Sequence, residues 1–223
     1  MEMNGEKDSR LNKLKEALVG DLKPVTKELI EEYVEKFRRD ERYGPAEIAI
    51  SELISRFPKN DDFSEILYKA CVINTLYSAQ VKNKNIVAVS EIIKSLNIDD
   101  ALKRGDISIV VTIREKLKEG KLDDSYSFVT KYCSWHNQEA FPIYDKIVRD
   151  MLCDYQRKDG FSNASFNFGD DLKVIGYREF KNIIEEFISS YKLHGYNFKL
   201  IDMFLYWYGK ERYNPKEAAD LID

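Results

Sequence analysis

The sequence predicts an all-α protein, on three observations. Apolar residues recur every three to four positions along most of the chain, the spacing that gives a helix one buried face. Glycines and prolines fall mainly between these runs and punctuate them. One stretch, residues 107–113 (ISIVVTI), alternates like a strand, but no partner strand is evident. Val110, Ile113 and Leu117 also give it a helical face.

The elements follow in order. The first eight residues are polar and read as disordered. Residues 11–19 make a short helical run closed by Gly20. Pro24 suits the first turn of the next helix, which Leu29, Ile30, Tyr33, Val34 and Phe37 continue. Arg38 and Arg39 fall in its last turn, where cations oppose the helix dipole. Gly44 and Pro45 restart the chain, and a helix over residues 48–57 ends at Pro58. Asp61 and Asp62 can cap a helix that runs to about Gln80. It is apolar on most sides and so central. Ile86, Val89, Ile93 and Leu96 mark the next helix, with Asp99, Asp100 and Asp106 as caps after it. The 107–119 helix stops at Gly120. Residues 158–170 are rich in Gly, Asn and Ser and read as a loop. Phe180 to Tyr191 and residues 200–210 supply the last two helices.

Composition narrows the function classes. A chain of 223 residues buries one sizeable core or two small ones. With 43% hydrophobic and 33% charged residues it fits a soluble globular protein. The net charge of −4 argues against a polyanion partner, although a local basic face remains open. Cys71, Cys133 and Cys153 form no Cys-x-x-Cys pair, so they read as buried free thiols in a reducing compartment. His136 and His194 lack ligand spacing, which leaves no metal site. No cofactor is expected, because phosphate-binding glycine loops and common hydrolase motifs are missing. No apolar run reaches the roughly 18 residues of a membrane span, and no signal peptide is visible, so the expected location is cytoplasmic.

The chemistry concentrates in residues 126–151, YSFVTKYCSWHNQEAFPIYDKIVRDM. A short amphipathic run carries Lys131, Trp135 and His136. A break follows at residues 137–142, and a second helical run, residues 146–155, starts just behind Asp145. A lysine on one helix and a carboxylate at the mouth of the next can face each other across a cleft. That pairing joins a nucleophilic amine to a charge that steers it.

This segment resembles the catalytic segment of the helix-hairpin-helix DNA glycosylase superfamily, the endonuclease III-like enzymes. Lys131 matches the lysine and Asp145 the aspartate by position. Two further matches occur in the same order: Ser-Ala-Gln at 78–80 and Trp-Tyr-Gly-Lys at 207–210. The likeness spans roughly residues 63–210. The chain departs from the pattern in its shorter lysine-to-aspartate spacing. It reads KLDDSYSFVTK where a glycine hairpin usually lies, and has no cysteine after 153, so the iron–sulfur cluster of many relatives is excluded.

The resemblance implies a two-lobed helical fold. Residues 61–138 form one lobe, and 1–60 with 139–223 form the other. It implies a monomer that excises a damaged or modified base from double-stranded DNA, with or without lyase activity. In that role Asp145 stabilises the sugar as the base leaves, and Lys131 attacks C1′. Gln80 fills the gap left by the extruded base, and Trp135 stacks on that base. His136 bonds a base edge or a phosphate. Lys82, Lys84, Lys146 and Arg149 form a cationic rim. Each residue also has a plainer reading: a helix cap for Asp145, a core ring for Trp135, a structural histidine for His136, a terminal amide for Gln80, and surface lysines. The rival function is a non-catalytic helical binding protein on the same scaffold.

Overall fold

The computed structural model describes residues 21–79, 81–122, 125–162 and 176–213. Their regular structure is helical: α1 (Lys27–Arg39), α2 (Tyr43–Arg56), α3 (Phe63–Leu76), α4 (Ile86–Ser95), α5 (Asp99–Arg104), α6 (Ser108–Glu119), α7 (Tyr126–His136), α8 (Lys146–Asp159), α9 (Tyr177–Ser190) and α10 (Phe198–Tyr213). A 3-10 turn, Asn83–Asn85, precedes α4. The all-α expectation holds, including the strand-like stretch, which begins α6. The expected helix at 11–19 and most of the expected loop at 158–170 lie outside the described residues.

Local chemistry sets several boundaries differently from the sequence reading. Thr26, not Pro24, starts α1: its hydroxyl accepts from Leu29 N–H at 3.1 Å. The helix α3 is capped by Asp62 as expected, but it is not the central helix its apolar residues suggested: it buries only Ile66, Lys69, Ala70 and Ile73, leaves Tyr68 exposed, and stops at Leu76. The side-chain amide of Asn74 bonds both the N–H and the C=O of Val81 at 2.9 Å, which folds the chain back. Ser78 takes a left-handed φ of 48° within that turn. Asp99 does not cap α5, a helix the spacing did not reveal. Its carboxylate accepts from the backbone and side-chain N–H groups of Asn60. Gly105 closes α5 at φ 68°, a conformation that favours glycine.

Two clusters of helices share one continuous hydrophobic core. The helix α10 lies against α1 and α8. The helix α7 lies among α2, α3, α5 and α6, and α4 packs on α3 and α6. The helix α2 touches α1 on one side and α3 and α7 on the other. The run at 126–136 is not amphipathic: every residue from Phe128 to Trp135 is buried. Two of its hydroxyls tolerate burial because they are bonded: Thr130 donates to the Ser127 carbonyl at 3.1 Å and Tyr132 to Asn60 Oδ1 at 2.5 Å. Cysteine burial also departs from expectation. Cys133 is buried, Cys153 partly so, and Cys71 is exposed, because α3 buries only Ile66, Lys69, Ala70 and Ile73. Among the described residues no helix is long and apolar enough to cross a membrane.

Candidate active site

A hydroxyl in the middle of α7 ties down the segment that leads into α8. Thr130 accepts from Tyr144 N–H at 3.0 Å, which fixes the residue before Asp145 against α7. Asp145 then caps α8, with Oδ1 accepting from Ile147 N–H at 2.8 Å. Its other oxygen, Oδ2, lies 3.8 Å from Lys131 Nζ. The cap and the ion pair therefore use different oxygens of one carboxylate. Lys131 also donates to Ser127 Oγ at 2.9 Å and to the Tyr77 carbonyl at 3.3 Å. Its side chain is only 6% exposed. Burial holds the Lys131 amine below the usual lysine range, while the charges of Asp145 and Asp202 pull the other way.

Lys131 and Asp145 line a cavity of about 680 Å³. That volume falls within the range of small-molecule sites. Six rings form much of its wall: Phe37, Tyr43, Tyr77, Tyr126, Tyr144 and Tyr206. Tyr126 and Tyr144 stack with centroids 4.5 Å apart, and the Arg114 guanidinium lies 3.9 Å over Tyr126. The hydroxyls of Tyr43 and Tyr206 are 2.6 Å apart and brace the opposite side.

Asp202 also faces this cavity from α10. It is 7% exposed, and its buried Oδ1 has no hydrogen-bond partner among the described residues. Burial raises its pKa to about 7; Lys199 and Lys131 oppose the rise, and Asp145 and Glu47 add to it. Behind the cavity Lys199 is bonded to Glu47 at 2.7 Å and to the Tyr77 hydroxyl at 2.6 Å. Its ammonium lies 4.8 Å from the ring centres of both Tyr77 and Trp135.

The sequence-predicted residues divide accordingly. Lys131 and Asp145 come together, and Lys146 joins them in the wall. Lys146 and Arg149 are both paired with Asp150, at 2.8 and 2.7 Å, which reduces the cationic rim. Lys82 and Lys84 sit at the 3-10 turn, outside the cavity lining. Gln80 lies outside the described residues. Trp135 is 7% exposed and outside the lining. It meets Tyr77 edge-on at 6.1 Å and covers Lys199. It supports the wall from behind, as the plainer core reading has it. His136 is also outside the lining, with its ring 5.2 Å from that of Tyr132. Burial drives its pKa to about 3, so it is neutral, and Nε2 has no partner among the described residues.

Sequence reasoning missed Asp202, Lys199 and Glu47. A signal was present for Asp202: it is a lone acid inside the apolar run LIDMFLYWY. It missed Lys69 as well. That ammonium is fully buried and bonds the carbonyls of Phe57 and Lys59 and Oδ1 of Asn60 at 3.0, 2.5 and 2.8 Å.

Comparison with known proteins gives two matches. A family model, HI_0787_N, described as an N-terminal domain, matches residues 29–140. An uncharacterized protein of Haemophilus influenzae is 37% identical over 153 residues, which cover 68% of this chain and 70% of that protein. No solved structure matches the chain.

Proposed function

The chain belongs to the HI_0787_N family, and we propose that it is a DNA base-excision glycosylase that acts on a damaged or modified base, with lyase chemistry through Lys131. The observation that carries this reading is the 3.8 Å contact between a buried amine and a carboxylate in a ring-lined cavity. An extruded base is a flat π-system and stacks on aromatic walls. Asp202, with an unpaired oxygen in the wall, can bond the polar edge of that base. As the glycosidic bond breaks, the base leaves with the bonding electrons and the sugar becomes oxocarbenium-like. The Asp145 carboxylate stabilises that charge. Lys131 must be neutral to attack C1′, and burial favours its neutral form. The sugar ring then opens: the C1′–O4′ bond breaks, O4′ takes up the proton that the amine gives up, and C1′ is left as a Schiff base. Loss of a C2′ proton from that species expels the 3′ phosphate by β-elimination.

Incubation with a panel of lesion-bearing duplexes, with free-base release as the readout, tests the reading. At least one lesion base should be released, and Lys131→Ala and Asp145→Asn should abolish or sharply slow release. No release from any duplex would favour the non-catalytic binding protein instead.

A further inference from the structure

Two lysines contact the same tyrosine. Lys131 Nζ is 5.7 Å from the Tyr77 ring centre and donates to the Tyr77 carbonyl at 3.3 Å. Lys199 Nζ is 4.8 Å from that ring centre and donates to its hydroxyl at 2.6 Å. Tyr77 follows the last residue of α3, where the chain turns, so side-chain anchors must help fix it. Lys199 is one such anchor, and it is itself fixed by Glu47 from α2 and enclosed by Trp135 from α7. Nothing in the base-excision chemistry uses Lys199, yet a cation buried to 4% side-chain exposure is rarely kept without a role.

We propose that Lys199 is a positioning residue for Lys131: it holds Tyr77 in place as a seat for the catalytic amine and sets a fixed positive charge behind it. The proposal rests on the base-excision reading for its catalytic meaning, although its electrostatic part does not. The groups facing Lys131 are Ser127 on its own helix, Tyr77 after α3, Asp145 at the start of α8, and Asp202 and Lys199 on α10. Two of these are acids, which favour the ammonium. Lys199 is a cation facing them from α10 and favours the free amine. Removing it leaves the acids unopposed and lets the Tyr77 ring move.

The test is an NMR titration of the Lys131 side-chain ammonium, assigned with Lys131→Arg, in the native chain, Lys199→Arg and Lys199→Met. A double variant, Lys199→Met with Glu47→Gln, removes both buried charges together and guards against misfolding from an unpaired acid. Lys199→Arg should titrate near the native chain. Both Met variants should titrate at a higher pH than the native chain, with a smaller share of free amine at every pH below that point. Borohydride trapping on abasic-site DNA across pH should show the same upward displacement of its rising limb. Unmoved titration in the folded Met variants overturns the proposal, whatever the trapping shows. A shifted titration with no trapping in any variant supports the coupling and removes base excision from it.

Discussion

Substituting Gly209 with alanine should weaken the fold and separate the site's two central groups, even though alanine favours helices. Gly209 lies in α10 where that helix crosses α8. A β-carbon there would come 2.4 Å from Ile147 Cγ2 and 2.7 Å from Met151 Cγ. Ordinary contact begins near 3.4 Å, so α8 must retreat by about 1 Å. Helix propensity alone would stabilise the variant by about 1 kcal/mol. Overpacking costs about 1–3 kcal/mol, toward the upper end here because β-branched Ile147 has little rotamer freedom. The net loss is then about 1–2 kcal/mol, a fall in Tm of about 2–8 °C for a chain of this size. Asp145 caps α8 through the Ile147 N–H, so the retreat also draws the carboxylate away from Lys131. Melting followed by circular dichroism reads the first effect, and base release at 25 °C, well below the melt, reads the second. An unchanged or raised Tm with native activity would refute the close-packing argument.

Three other outcomes follow from the same contacts. Asp145→Asn should keep the helix cap and most of the stability while activity falls at least a hundredfold; Asp145→Ala should lose about 1 kcal/mol more, by chemical denaturation. Asp202 has a folded-state pKa raised to about 7, above its unfolded value, so between about pH 4 and 7 the unfolded chain binds fewer protons and native stability falls as pH rises. Asp202→Asn should therefore raise Tm more at pH 8 than at pH 5. Lys69→Met strips two backbone carbonyls and Asn60 of a buried donor, and urea unfolding should register a loss of about 3 kcal/mol or more.

The helical class was legible because its signal is periodic and local. Residues 180–191 spaced their apolar side chains at helical intervals, and α9 formed there. The Lys131–Asp145 pairing was also legible, since a helix, a break and a capping acid constrain how two side chains can meet. What escaped was polar chemistry inside apolar surroundings. The run at 126–136 reads as amphipathic, yet every residue from Phe128 to Trp135 is buried, polar ones included. Lys69, Lys199 and Asp202 lie in runs that predict burial, and a charged residue there reads as a solvent-facing position unless its partners are known. Those partners lie outside the helix that carries the lysine: Glu47 on α2 for Lys199, and the 57–60 loop ahead of α3 for Lys69. The end of α3 escaped for the same reason, because Asn74 reaches Val81 by a side-chain bond that no spacing rule encodes.

The most direct measurement is peptide mapping of the covalent product formed when the protein is mixed with abasic-site DNA and sodium borohydride. The expected result is a single DNA-linked peptide carrying the modification at Lys131, lost in Lys131→Ala and reduced in Asp145→Asn. A product at Lys146 or another surface amine, or no product under conditions where the protein is folded, would contradict the assignment of Lys131 as the nucleophile.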